Sequence, residues 1–159
     1  MLDKIQKEKL ALELMRKYGE IKAQLNDYGI SRTEREPTGD YAEWLVASKL
    51  DLLQAENTVQ SGYDLIDPQT RKTYQIKARR MFKDHQYKVS IAKYVKYPFD
   101  YLVLIIFNED FTIHRAYQYT YESIPLFFKP KGDNMEIMIS LSNYRKKLEN
   151  IENMNILAL

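Results

Sequence analysis

Residues 61–80, SGYDLIDPQTRKTYQIKARR, decide the fold. Gly62 to Asp67 reads as a strand, Pro68 to Arg71 as a turn, and Thr73 to Arg79 as the strand that returns to close a hairpin. Side chains alternate along a strand. Gln75, Lys77 and Arg79 therefore share one face of the returning strand, and Tyr74, Ile76 and Ala78 the other.

Working outward toward the N-terminus, Gly39 to Leu53 has helical spacing, with Ala42, Leu45, Val46, Leu50 and Leu53 as its buried stripe. Thr38 is the expected N-cap and Asp40 stands in the favourable first turn. Glu43 lies at the edge of the stripe, close in angle to Leu50, and so is directed along the seam between helix and sheet. Trp44 points elsewhere and reads as core or interface. Ser31 to Thr38 is a polar connection. Before it, residues 3–28 form a long amphipathic helix in which Leu10, Leu14, Tyr18, Ile21, Leu25 and Tyr28 recur at spacings of 4, 4, 3, 4 and 3. Gly29 is placed to cap it. The stripe is either a core face or a dimer seam.

Toward the C-terminus, Tyr87 to Ala92 gives a weak strand signal, and Tyr101 to Phe107 is a near-continuous apolar strand suited to burial on both faces. Phe111 to Tyr117 pairs with it across the Asn108–Asp110 turn. A short helix near Tyr121 is cut by Pro125. Met135 to Leu141 reads as the last strand, and Ser142 caps a final basic helix from Asn143 to about Glu149. The expected fold is α/β: a mixed sheet of four or five strands carrying both long helices against its face. One domain over 1–159 is expected, with an N-terminal helix at 1–29, a core at 38–120 and a C-terminal elaboration at 121–159.

Composition narrows the chemistry. The 159 residues include no Cys, which excludes disulfides, thiol catalysis and thiolate zinc sites. With two His, His85 and His114, neither placed for a catalytic role, a metal site must be oxygen-liganded, favouring magnesium or manganese. The charged start MLDKIQKEKL does not read as a secretory signal, and no apolar run approaches membrane-spanning length, so a cytoplasmic location is expected. Between Arg71 and Lys96 stand nine basic residues against one acid, Asp84, the asymmetry that a phosphate backbone attracts. Arg79, Arg80, Lys83 and Lys88 are the expected contacts to it, and His85 lies in the same segment.

Three features then converge: an acid on a helix (Glu43), an acid on a strand (Asp64), and Gln75 and Lys77 on the next strand, Gln75 eleven residues after Asp64. Phosphodiester hydrolysis needs a cation to gather the phosphate and acidify the attacking water. Asp64 and the amide oxygen of Gln75 supply hard ligands, with Glu43 assisting directly or through water, while Lys77 stabilises developing charge. Taken singly, Glu43 is an ordinary solvated helix residue and Lys77 fits the exposed face of an edge strand; Asp67 reads as the cap of the Pro68 turn.

The pattern resembles the PD-(D/E)xK superfamily of restriction-endonuclease-like nucleases, carried by GDYAEWLVASKL with Glu43 and by residues 61–80 with Asp64, Gln75 and Lys77. It is most similar to the catalytic domains of type IV, modification-dependent restriction enzymes and to Holliday-junction resolvases. The resemblance covers roughly residues 38–107. It implies a restriction-endonuclease-like mixed sheet flanked by helices and a magnesium-dependent endonuclease acting on double-stranded or branched DNA. Two cuts in a duplex make a homodimer a natural assembly. Asp64 lacks the family's preceding Pro, and Gln75 stands for the more usual Glu, removing one negative charge from the metal site. The alternative is a catalytically silent copy of the fold that binds nucleic acid or a protein partner.

Overall fold

The computed structural model describes residues 4–32, 36–55, 62–81 and 83–159. Residue 3 of the expected first helix and residues 33–35 of the polar connection lie outside them. Two compact units are distinguished, Met1–Tyr41 and Ala42–Leu159.

In the first unit, α1 runs from Lys4 to Asp27. It ends as its sequence directs. Gly29 takes φ +67°, its N–H donates to Asn26 O (2.9 Å), and Ile30 N–H donates to Leu25 O (2.9 Å), the two bonds of a Schellman cap. Along the α1 stripe, Leu10, Leu14, Tyr18, Ile21 and Tyr28 are 41% to 77% exposed. The start of α2 (Thr38–Leu50) is fixed by Asp40, whose Oδ2 accepts from Ser31 Oγ (3.1 Å) and Arg32 N–H (2.7 Å). The Thr38 hydroxyl donates to Glu36 (2.7 Å) instead of capping the helix, whose first turn runs from Pro37 O to Tyr41 N–H (2.8 Å).

In the second unit, the strands among the described residues form two sheets. The larger is mixed and six-stranded, in the order β1 (Leu53–Gln54), β2 (Leu65–Ile66), β3 (Thr73–Arg80), β5 (Tyr101–Phe107), β6 (Ile113–Thr120) and β9 (Asn155–Ile156). β1, β2 and β3 form an antiparallel meander, β5 is parallel to β3, and β6 is antiparallel to β5. The smaller sheet, in the order β4 (Tyr87–Ile91), β8 (Asn134–Ile139) and β7 (Lys129–Lys131), is antiparallel and was not expected from the sequence. The α/β class and the mixed sheet hold. The larger sheet exceeds the four or five strands expected, and Asn155–Ile156 follows what had read as the last strand.

The 3₁₀ helix Tyr121–Leu126 contains Pro125, and α3 spans Tyr144–Leu148. Its N-cap is Asn143, not Ser142; the Asn143 side chain accepts from Ser140 N–H (2.9 Å) and leaves the helix uncapped by a side chain.

β5 is the spine. Leu102 through Phe107 are fully buried, so both faces of the strand are covered, as its unbroken apolar run predicts. Leu102, Leu104 and Ile106 belong to one cluster with Tyr117 and Tyr119 of β6, Val89 and Ile91 of β4, and Ile137 and Ile139 of β8, so both sheets share a core. Each such aliphatic side chain contributes roughly 1.5–3 kcal/mol when fully buried. Val103, Ile105 and Phe107 point the other way; Ala42, Leu45 and Val46 of α2 are likewise buried outside that cluster.

The register of β3 on β5 is fixed at its head by Asp100. Its carboxylate accepts from Lys72 Nζ (2.6 Å), Thr73 N–H (2.9 Å) and Thr73 Oγ1 (3.0 Å). Burial alone would raise the Asp100 pKa, but these donors outweigh it and hold the value below the usual carboxylate range.

Candidate functional site

The site grows from the β2–β3 hairpin. Asp67 stops the outgoing strand by accepting from Gln69 N–H (2.8 Å), Thr70 N–H (3.1 Å) and Thr70 Oγ1 (2.6 Å), which keeps its pKa low. Its role is that of a turn cap, as read from the sequence. The turn pairs Leu65 with Tyr74 and Ile66 with Thr73. One residue before β2, Asp64 meets Gln75, and its N–H donates to Tyr74 O (2.8 Å). Its own carbonyl accepts from Ala55 N–H (2.9 Å), so the backbone of Asp64 is held from both sides.

Asp64 and Gln75 are each 8% exposed. A polar pair buried this deeply must satisfy itself. Oδ2 of Asp64 accepts from Gln75 Nε2 and from Ile76 N–H (2.7 Å). The Gln75 amide is thus oriented by Asp64, and its Oε1 accepts no hydrogen bond among the described residues. Lys77 is half-buried two residues along the same face; Gln75 pairs in register with Leu102 and Lys77 with Leu104.

Glu43 is half-buried on α2, one residue from the fully buried Ala42 and three from Val46. The structure therefore joins Asp64 to Gln75 directly, sets Lys77 beside Gln75 along one strand face, and places Glu43 at the margin of the helix's buried side.

Gly62 fits the approach to Asp64 for a steric reason. Its φ is +73°, and a Cβ at this position would stand 2.1 Å from Cβ of Tyr97 and 3.0 Å from Tyr97 O. Only the absence of a side chain lets the two segments come so close.

The basic flank divides by role. Arg79 donates from Nε to Lys88 O (2.5 Å) and from Nη1 to Ala78 O (2.6 Å), tying β3 to β4, and burial lowers its pKa. Arg80 lies over the Phe111 ring at 4.7 Å. Lys83 is exposed, and Lys88 forms an exposed ion pair with Glu136 (3.5 Å). His85 stacks on Tyr87 at 4.2 Å, so two rings stand exposed or half-exposed in the same segment. His114 is tied to Tyr144 Oη (2.9 Å), and burial, then Arg115 and Arg145, lower its pKa. Trp44 is half-buried.

As a cation site this is sparse. Among the described residues no group of three or more His, Cys, Asp or Glu side chains is gathered to hold a metal. What is present is one buried carboxylate beside one oriented amide. That fits magnesium or manganese, which accept one or two carboxylates and keep several waters or phosphate oxygens. It does not fit zinc. No protein-family model matches this chain, and no curated protein matches it. Among the described residues, no helix is long and apolar enough to cross a membrane.

Proposed function

We propose that this chain is a divalent-metal-dependent endonuclease that hydrolyses nucleic-acid phosphodiester bonds, with DNA as its substrate. One observation carries the reading: a buried aspartate, hydrogen-bonded to a glutamine on the next strand, with a lysine two residues further along that strand's face. Two N–H donors already orient the Asp64 carboxylate, and a cation would compensate the charge it carries in this buried place. The order of a helix acid, a strand Asp and a following Gln-x-Lys agrees with the PD-(D/E)xK resemblance.

In this reading Asp64 and Gln75 Oε1 hold magnesium or manganese, with Glu43 assisting through water. The bound ion would supply Lewis acidity and a lowered pKa for coordinated water. Asp64 keeps Gln75 turned for ligation through the Nε2 bond. Lys77 stabilises the charge that accumulates on the phosphoryl oxygens. Arg80, Lys83 and Lys88, with the remaining donors of Arg79, grip the flanking backbone.

The test is a cleavage screen on plasmid and oligonucleotide substrates with magnesium and with manganese, comparing wild type with Asp64→Ala. Metal-dependent cutting that is lost in Asp64→Ala supports the proposal; equal cutting by both proteins overturns it.

A second reading, a silent nuclease fold that binds without cutting, is favoured by the two N–H donors already on Asp64 Oδ2 and by the neutral Gln75. Nucleic-acid affinity that survives both EDTA and Lys77→Ala, with no cleavage under either metal, selects it.

A further inference from the structure

A second basic region lies on the small sheet. Pairing of β8 with β4 and β7 brings Lys88 opposite Met138 and Lys129 opposite Glu136. Val89, Ile91, Ile137 and Ile139 face the shared core, so Lys88, Lys129, Glu136 and Met138 stand on the outer face. There a cavity of about 600 Å³ is lined by Lys129 and Lys131 of β7 and by Lys146 and Lys147 of α3. Glu136 is the only acid among the described residues that line it, and that carboxylate is already shared between Lys88 (3.5 Å) and Lys131 (3.4 Å). Lys147 donates to Met138 O, which holds it against the sheet. The floor is apolar: Phe127 and Ile151 line it beside Leu126 and Met138, which are 65% and 41% exposed.

Exposed apolar side chains beside lysines suit a flat apolar group joined to phosphate. We infer that this cavity takes an unpaired nucleotide of a nucleic-acid strand. The base lies against Leu126, Phe127 and Met138, and the adjoining phosphates lie against Lys129, Lys131 and Lys146. Stacking on the Phe127 ring tolerates any base, Leu126 and Met138 add apolar contact, and lysines track the backbone. An acidic peptide would engage the lysines but make no use of the floor. The inference rests on the proposed nucleic-acid reading for the identity of the polymer, and not on the chemistry at Asp64.

The experiment is binding of fluorescent oligothymidylate in EDTA, titrated with salt. Wild type is expected to bind, with affinity falling as salt rises. Lys129→Glu combined with Lys146→Glu should weaken binding on the order of tenfold and reduce the salt slope by roughly 1 to 2. Leu126→Ala should weaken binding with the salt slope unchanged, because it removes contact with the base and no charge. These side chains are exposed, and an unchanged thermal midpoint will establish that each variant is folded. Wild-type affinity in the double variant, or in Leu126→Ala, overturns the inference. Displacement by oligoglutamate as effective as by oligonucleotide of equal charge also overturns it and points to an acidic peptide. Asp64→Ala separates the two proposals: lost cleavage with full oligothymidylate affinity agrees with both, wild-type cleavage in Asp64→Ala sinks only the assignment at Asp64, and wild-type affinity in the lysine variant sinks only the cavity.

Discussion

Ile76 donates its backbone N–H to the Asp64 carboxylate across 2.7 Å, so the strand that carries Gln75 and Lys77 also fixes the acid on its neighbour. Position and chemistry meet in one oxygen, and substitutions can separate them. Asp64→Ala leaves a buried N–H and the Gln75 amide without an acceptor, at about 1–3 kcal/mol. Asp64→Asn keeps an oxygen for Ile76 and should cost less. Both should lower cleavage on the order of a hundredfold or more if the carboxylate holds the cation. Urea denaturation beside cleavage rates checks this. Asn retaining wild-type cleavage would remove Asp64 from the metal site.

Gln75→Glu tests the missing charge. Two carboxylates at this buried spot repel, and the Nε2 donor is lost, so the variant should unfold at lower temperature in EDTA than wild type does. Magnesium should return stability, because a ligand that binds only the folded state raises it by mass action. Thermal melts with and without magnesium are the measurement. A magnesium shift no larger than that of wild type would show that position 75 does not face a cation.

Gly62→Ala should be damaging although the change is one methyl group. The added Cβ meets Tyr97 Cβ at 2.1 Å in a backbone region that side chains avoid. A cost of roughly 1–3 kcal/mol is expected. Asp64 lies two residues on, so cleavage should fall as well. A stable and fully active variant would mean that the contact is not made in solution.

His114 supplies a pH signature. Burial holds its folded-state pKa below the ordinary value of 6.5, so the unfolded chain binds this proton more readily than the folded protein does. Its contribution therefore destabilises the fold as pH drops through and below 6.5, and is absent above that value. His114→Gln should flatten the stability profile in that window and leave the neutral-pH midpoint nearly unchanged. Denaturant midpoints collected across the window will show it; parallel profiles would exclude His114 as the cause.

How much of this was legible depended on whether the signal was local. The hairpin was, because Pro68 and Asp67 mark the turn and period-two alternation runs through Thr73 to Arg80. β5 was, because an unbroken apolar run has few other uses. The second sheet was not. Its strand β7 is Lys-Pro-Lys, exposed and without apolar pattern, and it exists through pairing with β8. The cavity lysines escaped notice for the same reason: they arrive as two pairs fifteen to eighteen residues apart, and only the fold gathers them. Arg79 gave a charge in a basic run, but nothing in the string shows its Nε turned onto a main-chain carbonyl.

The exposed apolar side chains of α1 have a thermodynamic consequence. A helix of 24 residues is about 36 Å long, and most of a helix's stability in a protein comes from packing of its apolar face rather than from intrinsic propensity. Its Leu14, Tyr18, Ile21, Leu25 and Tyr28 follow the alternating four-and-three rhythm by which two identical helices wind together. Helicity should then be a function of dilution: far-UV ellipticity should decline as the protein is diluted, and Ile21→Asp should give the diluted value at every concentration. Ellipticity that ignores concentration in the unaltered chain would mean that α1 holds its shape without a second copy.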